Sequence, residues 1–149
     1  MEKDILVHWF LPHPPQQVWE YLTDPALLGQ WLMPNDFRAE VGHRFRFHSQ
    51  PRVKMGWDGI VYAEVKEVQA PHRLVYTWQG GPRPGVINLD TLITWTLEAR
   101  EGGTALTLTQ AGFKGWKNVI AAMIMSKGWK GKIAARFADL LNERAHVPA

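Results

Sequence analysis

The sequence predicts an α+β fold, a curved antiparallel sheet wrapped around a long C-terminal helix, with two short helices inserted after the first strand. Three observations carry this expectation. From Phe37 to Thr109 apolar and polar residues alternate, broken by turn-forming words such as Gly42-His43, Ala70-Pro71-His72 and Glu101-Gly102-Gly103, as in hairpin-connected strands. Toward the C-terminus the spacing changes, and Trp129, Ile133, Phe137 and Leu141 step by four residues, the stripe of an amphipathic helix. Ahead of the alternating region, Pro14-Pro15 and Asp24-Pro25 read as helix starts. Strands twist, so such a run cannot lie flat beneath one helix and must curl around it.

Taken in order, Ile5 to Leu11 reads as a strand that turns Ile5, Val7, Trp9 and Leu11 to one face. A first helix follows Pro14-Pro15, with Val18, Trp19 and Leu22 on one side. Asp24 caps a second short helix reaching Trp31, and Pro34-Asn35 ends it. Phe37 to Val41 and Arg44 to Phe47 read as paired strands around Gly42-His43. Asp58 to Val68 and Arg73 to Trp78 form the next pair, and Gly80-Gly81-Pro82-Arg83-Pro84-Gly85 can only be a loop. Ile93, Trp95 and Leu97 then alternate with Thr94, Thr96 and Glu98, and after the next turn Leu106, Leu108 and Gln110 share a face. In the last helix Gly128 and Gly131 each cost about 1 kcal/mol relative to Ala, which loosens its first turns.

The 149 residues suit one domain spanning 1–149. There is no cysteine, which excludes disulfides, thiolate metal sites and a cysteine nucleophile. The net charge of +3 is local: from Ala111 onward seven basic residues (Lys114, Lys117, Lys127, Lys130, Lys132, Arg136, Arg144) face two acidic ones, Asp139 and Glu143. This reads as a solvated helix face, with no recognition motif for nucleic acid beside it. The charged start, Met1-Glu2-Lys3-Asp4, shows no signal peptide, and the longest apolar run, Val119 to Met125, is too short to span a bilayer. A cytoplasmic location is the expectation.

Several stretches are familiar. Pro14 to Pro25, Trp31 with Pro34, Glu67 to Trp78, Thr104 to Phe113 and Gly128-Trp129 together resemble the START-like (SRPBCC, Bet v 1-like) superfamily, and within it the Activator of heat-shock-protein-90 ATPase homologue family. The resemblance implies a helix-grip fold with a cavity between sheet and C-terminal helix. Three departures stand out. Gln110 occupies a place where the family often has His, and Gly42-His43 a place where it has Gly-Gly. Val119 to Met125 is apolar where such proteins are usually polar. That segment reads as a buried approach to the last helix, or as an adaptable, Met-bearing piece that gates the cavity or forms a homodimer patch.

The chemistry to expect is binding. No hydrolase elbow, phosphate loop, dinucleotide fingerprint or His-Glu-x-x-His motif occurs, the serines are Ser49 and Ser126 alone, and the histidine spacings suit no common metal site. No cofactor is expected. The eight tryptophans are the unusual entry in the composition. Trp9, Trp78 and Trp95 on strands and Trp129 on the helix alternate inward, and with Phe47, Val65, Ile133 and Phe137 are the candidate lining of a cavity for a flat, small hydrophobic molecule. Trp57 and Trp116, near glycines, read as loop residues at its rim. Polar candidates on the inward face are Glu67, Tyr76 and Gln110. Glu67 or Tyr76 would be the acid or base of a polyketide cyclase- or dehydratase-like activity, as in other branches of the superfamily. Gln110 or Glu67 can equally hold only a strand end or an ordered water. A chaperone partner is the third alternative. Eukaryotic members named for that activity carry a further N-terminal domain that these residues do not include, so the role is not transferred.

Overall fold

A computed structural model describes residues 2–49 and 57–145. Six strands form one antiparallel sheet, β1 (Glu2–Leu11), β2 (Arg44–His48), β3 (Ile60–Gln69), β4 (Arg73–Gly80), β5 (Leu89–Arg100) and β6 (Gly103–Lys114). Their spatial order is β1-β6-β5-β4-β3-β2. Every sequential pair from β2 to β6 is therefore a hairpin, and the chain closes by laying β6 beside β1, where Trp9 faces Leu106 and Val7 faces Leu108. The helices are α1 (Pro15–Thr23), α2 (Pro25–Trp31), α3 (Trp116–Lys130) and α4 (Lys132–Ala145), and they cover the inner face of the sheet.

Local chemistry explains the helix junctions. Asp24 Oδ1 accepts hydrogen bonds from the amides of Ala26 at 2.9 Å and Leu27 at 3.1 Å, satisfying two amides at the start of α2 that have no partner within the helix. Just before α1, His13 Nε2 lies 3.0 Å from Asn142 Oδ1, and Thr104 Oγ1 donates to the carbonyl of His13 at 2.7 Å. These two bonds tie α4 and β6 to the link between β1 and α1.

Three expectations change. Phe37 to Val41 is not a strand: the Phe37 amide donates to Asn35 Oδ1 and the Glu40 amide to the carbonyl of Arg38, while Asp36 Oδ1 accepts from the amide of Arg46 in β2, so local turn bonds and side chains stand where a ladder was expected. Phe37 is buried against Phe45, their ring centroids 5.0 Å apart, and Gly42, at φ +89°, makes the turn that brings its amide to the carbonyl of Val65. The C-terminal helical segment starts earlier than its stripe suggests, so Trp116 opens α3 rather than sitting in a loop. It is also interrupted at Gly131, where a side chain's Cβ would lie 2.8 Å from the carbonyl oxygen of Lys127. Finally, Val119 to Met125 is not a uniformly buried approach. Ala122 is buried, whereas Ile120, Met123 and Ile124 point outward.

Candidate functional site

The inward tryptophans meet one another. Trp95 lies 5.9 Å from Trp9, 6.1 Å from Trp31 and 5.8 Å from Trp129, measured between ring centroids. Trp31 comes from α2 and stacks obliquely on Phe137 of α4 at 4.3 Å, which places a helix-borne ring in the centre of the space the sheet encloses. The series continues from Trp129 to Trp78 at 5.7 Å, and from Trp78 to Phe47 at 5.3 Å. Val65 and Phe137 are buried in the same cluster, and Ile133 packs against it. Among the described residues these side chains form a close-packed core, with ring spacings in the range of favourable aromatic pairs.

The polar groups inside this core are paired. Trp129 Nε1 donates to Gln110 Oε1 at 3.1 Å, Gln110 Nε2 donates to Thr91 Oγ1 at 3.0 Å, and Thr91 Oγ1 donates to the carbonyl of Trp78 at 2.8 Å. One chain of hydrogen bonds thus runs from α3 through β6 and β5 to β4. Gln110 has the structural role, holding α3 to the sheet. Trp31 Nε1 donates to the carbonyl of Tyr21 at 2.9 Å, and Trp95 Nε1 to the hydroxyl of Tyr76 at 3.0 Å.

The two acid–base candidates do not come together. Alternation from Val61, Ala63 and Val65 points Glu67 inward, but a bulge between Val65 and Glu67 inserts Lys66 against β4. A bulge adds one residue to one strand and re-aims the side chains beyond it. Glu67 therefore reaches the surface, 36% exposed at its side chain, where it pairs with Arg73 and accepts from Gln69 Nε2 at 2.9 Å. Its assignment as an inward acid is corrected on this ground. Tyr76 stays fully buried, and burial pushes its phenol above the ordinary range while the Trp95 hydrogen bond pulls weakly the other way. A phenol whose native pKa exceeds the unfolded value of about 10 stabilises the fold fully below that value and loses the contribution as pH rises above it. Alkaline titration followed at the phenolate absorbance band is expected to show Tyr76 ionising only as near-ultraviolet dichroism collapses. Ionisation of all three tyrosines in an intact fold is the contrary outcome.

Open space lies to one side of this core. A cleft of about 520 Å³ runs between the first half of α3 and the ends of β3, β4 and β5, lined by Trp57, Val61, Trp78, Leu89, Ala121, Ile124 and Met125, with Gly80 and Gly81 in its floor. Its polar groups are Asn88, Asn118 and Lys117. Asn118 Nδ2 donates to the carbonyl of Asn88 at 2.9 Å, which fastens α3 to the loop before β5. Of the cavity candidates read from the sequence, Trp78 borders this cleft, as does the rim candidate Trp57. Trp9, Phe47, Val65, Tyr76, Trp95, Gln110, Trp129, Ile133 and Phe137 line the core rather than the cleft. Trp116 lies outside it. A second groove, about 580 Å³, sits on the outer face of β2 to β4 among Arg44, Arg46, Glu64 and Lys66. There Glu64 is paired with both Arg44 and Lys66, which holds its carboxyl below the usual range, Lys66 foremost. This groove is a solvated, charge-paired surface.

With a curved six-stranded sheet, α1 and α2 after β1 and a helical C-terminus in place, the comparisons agree on one assignment. The family described as Activator of Hsp90 ATPase homolog 1-like protein matches residues 12–142. The chain belongs to this family. Among solved structures, the Activator of Hsp90 ATPase homolog 1-like chain is similar to protein MLL2253 of Mesorhizobium loti, with a TM-score of 0.83 and 30% identity over 97% of this chain and all (100%) of that one. It is also similar to protein BH1534 of Bacillus halodurans, with a TM-score of 0.72 and 26% identity over 93% of this chain and 96% of that one. DynU16, a putative protein in the dynemicin biosynthetic locus, matches with a TM-score of 0.74 and 25% identity over 93% of this chain and 47% of its own. No curated protein matches. In this helix-grip fold the cleft of Trp57, Trp78 and Met125 lies between the sheet and α3. Trp78, Trp57 and the Val119 to Met125 segment, which brings Ala121, Ile124 and Met125, signalled it in the sequence. Val61, Leu89, Asn88 and Asn118 come from separate elements and share no motif.

Proposed function

We propose that this protein binds a small hydrophobic molecule in the cleft between α3 and the ends of β3 to β5. The observation that carries the reading is the cleft itself: two indoles, aliphatic side chains and Met125 enclose about 520 Å³ beside a filled core. That volume lies within the range of small-molecule sites, which are mostly apolar with a few placed polar groups. Met125 and Ile124 supply an adaptable wall, and Trp57 and Trp78 offer flat faces for aromatic or polycyclic compounds. DynU16's place in a biosynthetic locus makes small organic compounds of biosynthesis a suitable first panel.

The acid–base alternative has less support, because Glu67 lies at the surface and Tyr76 is enclosed by protein. The location that fits a soluble carrier or sensor of this kind is the cytoplasm, and binding of this kind calls for no cofactor. Titration of tryptophan fluorescence with aromatic and lipid-like compounds is expected to give a saturable change for at least one class. Ala121→Trp, which fills the mouth from α3, should weaken that binding at least tenfold while leaving unfolding midpoints close to those of the parent. Binding that Ala121→Trp leaves unchanged would place the ligand elsewhere and overturn the reading.

A further inference from the structure

We propose that the outer face of α3 docks on an anionic lipid surface, by lying in it rather than crossing it. Trp116 is 62% exposed, Ile120 49%, Met123 54% and Ile124 67%. At about 100° per residue these four fall on one arc of the helix, opposite the buried Ala122 and Trp129. The helix is apolar on both sides, with one side packed on the protein and the other facing solvent.

The charges around the stripe point to its occupant. Lys127 falls within the arc and Lys117 and Lys130 on its two margins, all exposed. Lys114 and Lys132 stand just before and after the helix. No acidic residue occurs between Glu101 and Asp139. Lysines that keep their ammonium groups in water while their stems lie on apolar surface, beside an interfacial tryptophan, suit the boundary between headgroups and acyl chains. Lys117 Nζ already sits 5.5 Å from the centre of the Trp116 ring. A second copy of this chain would bring two lysine-edged stripes together with no carboxylate between them, whereas anionic headgroups supply the missing charge. Among the described residues no helix is long and apolar enough to cross a membrane, which agrees with an interfacial seat. Ile124 and Lys117 also border the cleft, so docking would turn the cleft toward lipid; the proposal itself stands whether or not the cleft holds a ligand.

The test uses vesicles of phosphatidylcholine alone and of phosphatidylcholine with one-quarter phosphatidylglycerol, read by co-sedimentation and by the blue shift of tryptophan emission, with Trp116→Phe as the emission reference. The protein is expected to bind the anionic vesicles, to ignore the neutral ones, and to lose binding as salt rises. A lysine near such a surface contributes roughly a fivefold change in affinity, so Lys127→Glu/Lys130→Glu should weaken binding by at least about twentyfold. Ile120→Ser/Met123→Ser changes two exposed residues outside the cleft. It should keep the parent's circular dichroism and weaken vesicle binding at least about tenfold. Absence of binding to anionic vesicles, or equal binding by the serine variant, overturns the proposal. So does a dimer in light scattering that the serine variant dissociates without any vesicle binding by the parent, which would assign the face to a second copy.

Discussion

Trp95→Ala is expected to lower the free energy of unfolding by about 3–5 kcal/mol, the cost of deleting a large aromatic ring from a packed core. Trp9, Trp31 and Trp129 all lie around the ring of Trp95, so truncation strips contacts from residues of β1, α2 and α3 at once. It also removes the N–H that the Tyr76 hydroxyl accepts inside the core. With total stabilities of about 5–15 kcal/mol for natural domains, the loss is a large share. Urea denaturation followed by near-ultraviolet dichroism checks it. A change below about 1 kcal/mol would mean that the ring borders space already open, and the inner cluster would then have to be reconsidered as ligand-facing.

The second large effect is expected at Gln110. Gln110→Met roughly keeps the length and volume of the side chain but removes both ends of the bridge between Trp129 and Thr91. The Trp129 N–H is left buried without its acceptor, at a cost of about 1–3 kcal/mol. Because the cost arises from the orphaned indole, Trp129→Phe in the same chain should remove part of it. The double-mutant cycle is expected to show a coupling of about 1 kcal/mol or more. Simple additivity of the two substitutions would show that the hydrogen bond contributes nothing beyond packing. Where Ala121→Trp tests the cleft, this pair tests what holds α3 against the sheet beneath it.

Much of the fold was legible because local patterns and tertiary demands agreed. Pro14-Pro15 and the Asp24 cap marked α1 and α2, and alternation from Ile93 to Leu97 and from Leu106 to Gln110 marked the inward faces of β5 and β6. The misreadings fall where a longer-range partner overrides the pattern. Phe37, Ala39 and Val41 alternate like a strand, yet the Asn35 side chain takes the amide of Phe37, Asp36 takes that of Arg46 in β2, and Phe37 plugs the core. Glu67 keeps the alternation of β3, yet the bulge at Lys66 re-aims it toward Arg73. Trp116 lies between a glycine and a lysine, so that nothing local announces the uncapped start of α3.

The amino-acid sequence alone determined the fold class and which rings turn inward, because period and turn residues are properties of single elements, and particular stretches such as Glu67 to Trp78 carried the family resemblance. Whether those rings border a cavity was decided only in three dimensions. An inward face becomes core or pocket according to what the opposite layer brings to it, and periodicity carries no information about that layer. Here Trp31 of α2 and Phe137 of α4 fill the centre, while α3, held at its Trp129 end by Gln110, leaves the cleft beside Trp57 and Trp78 open.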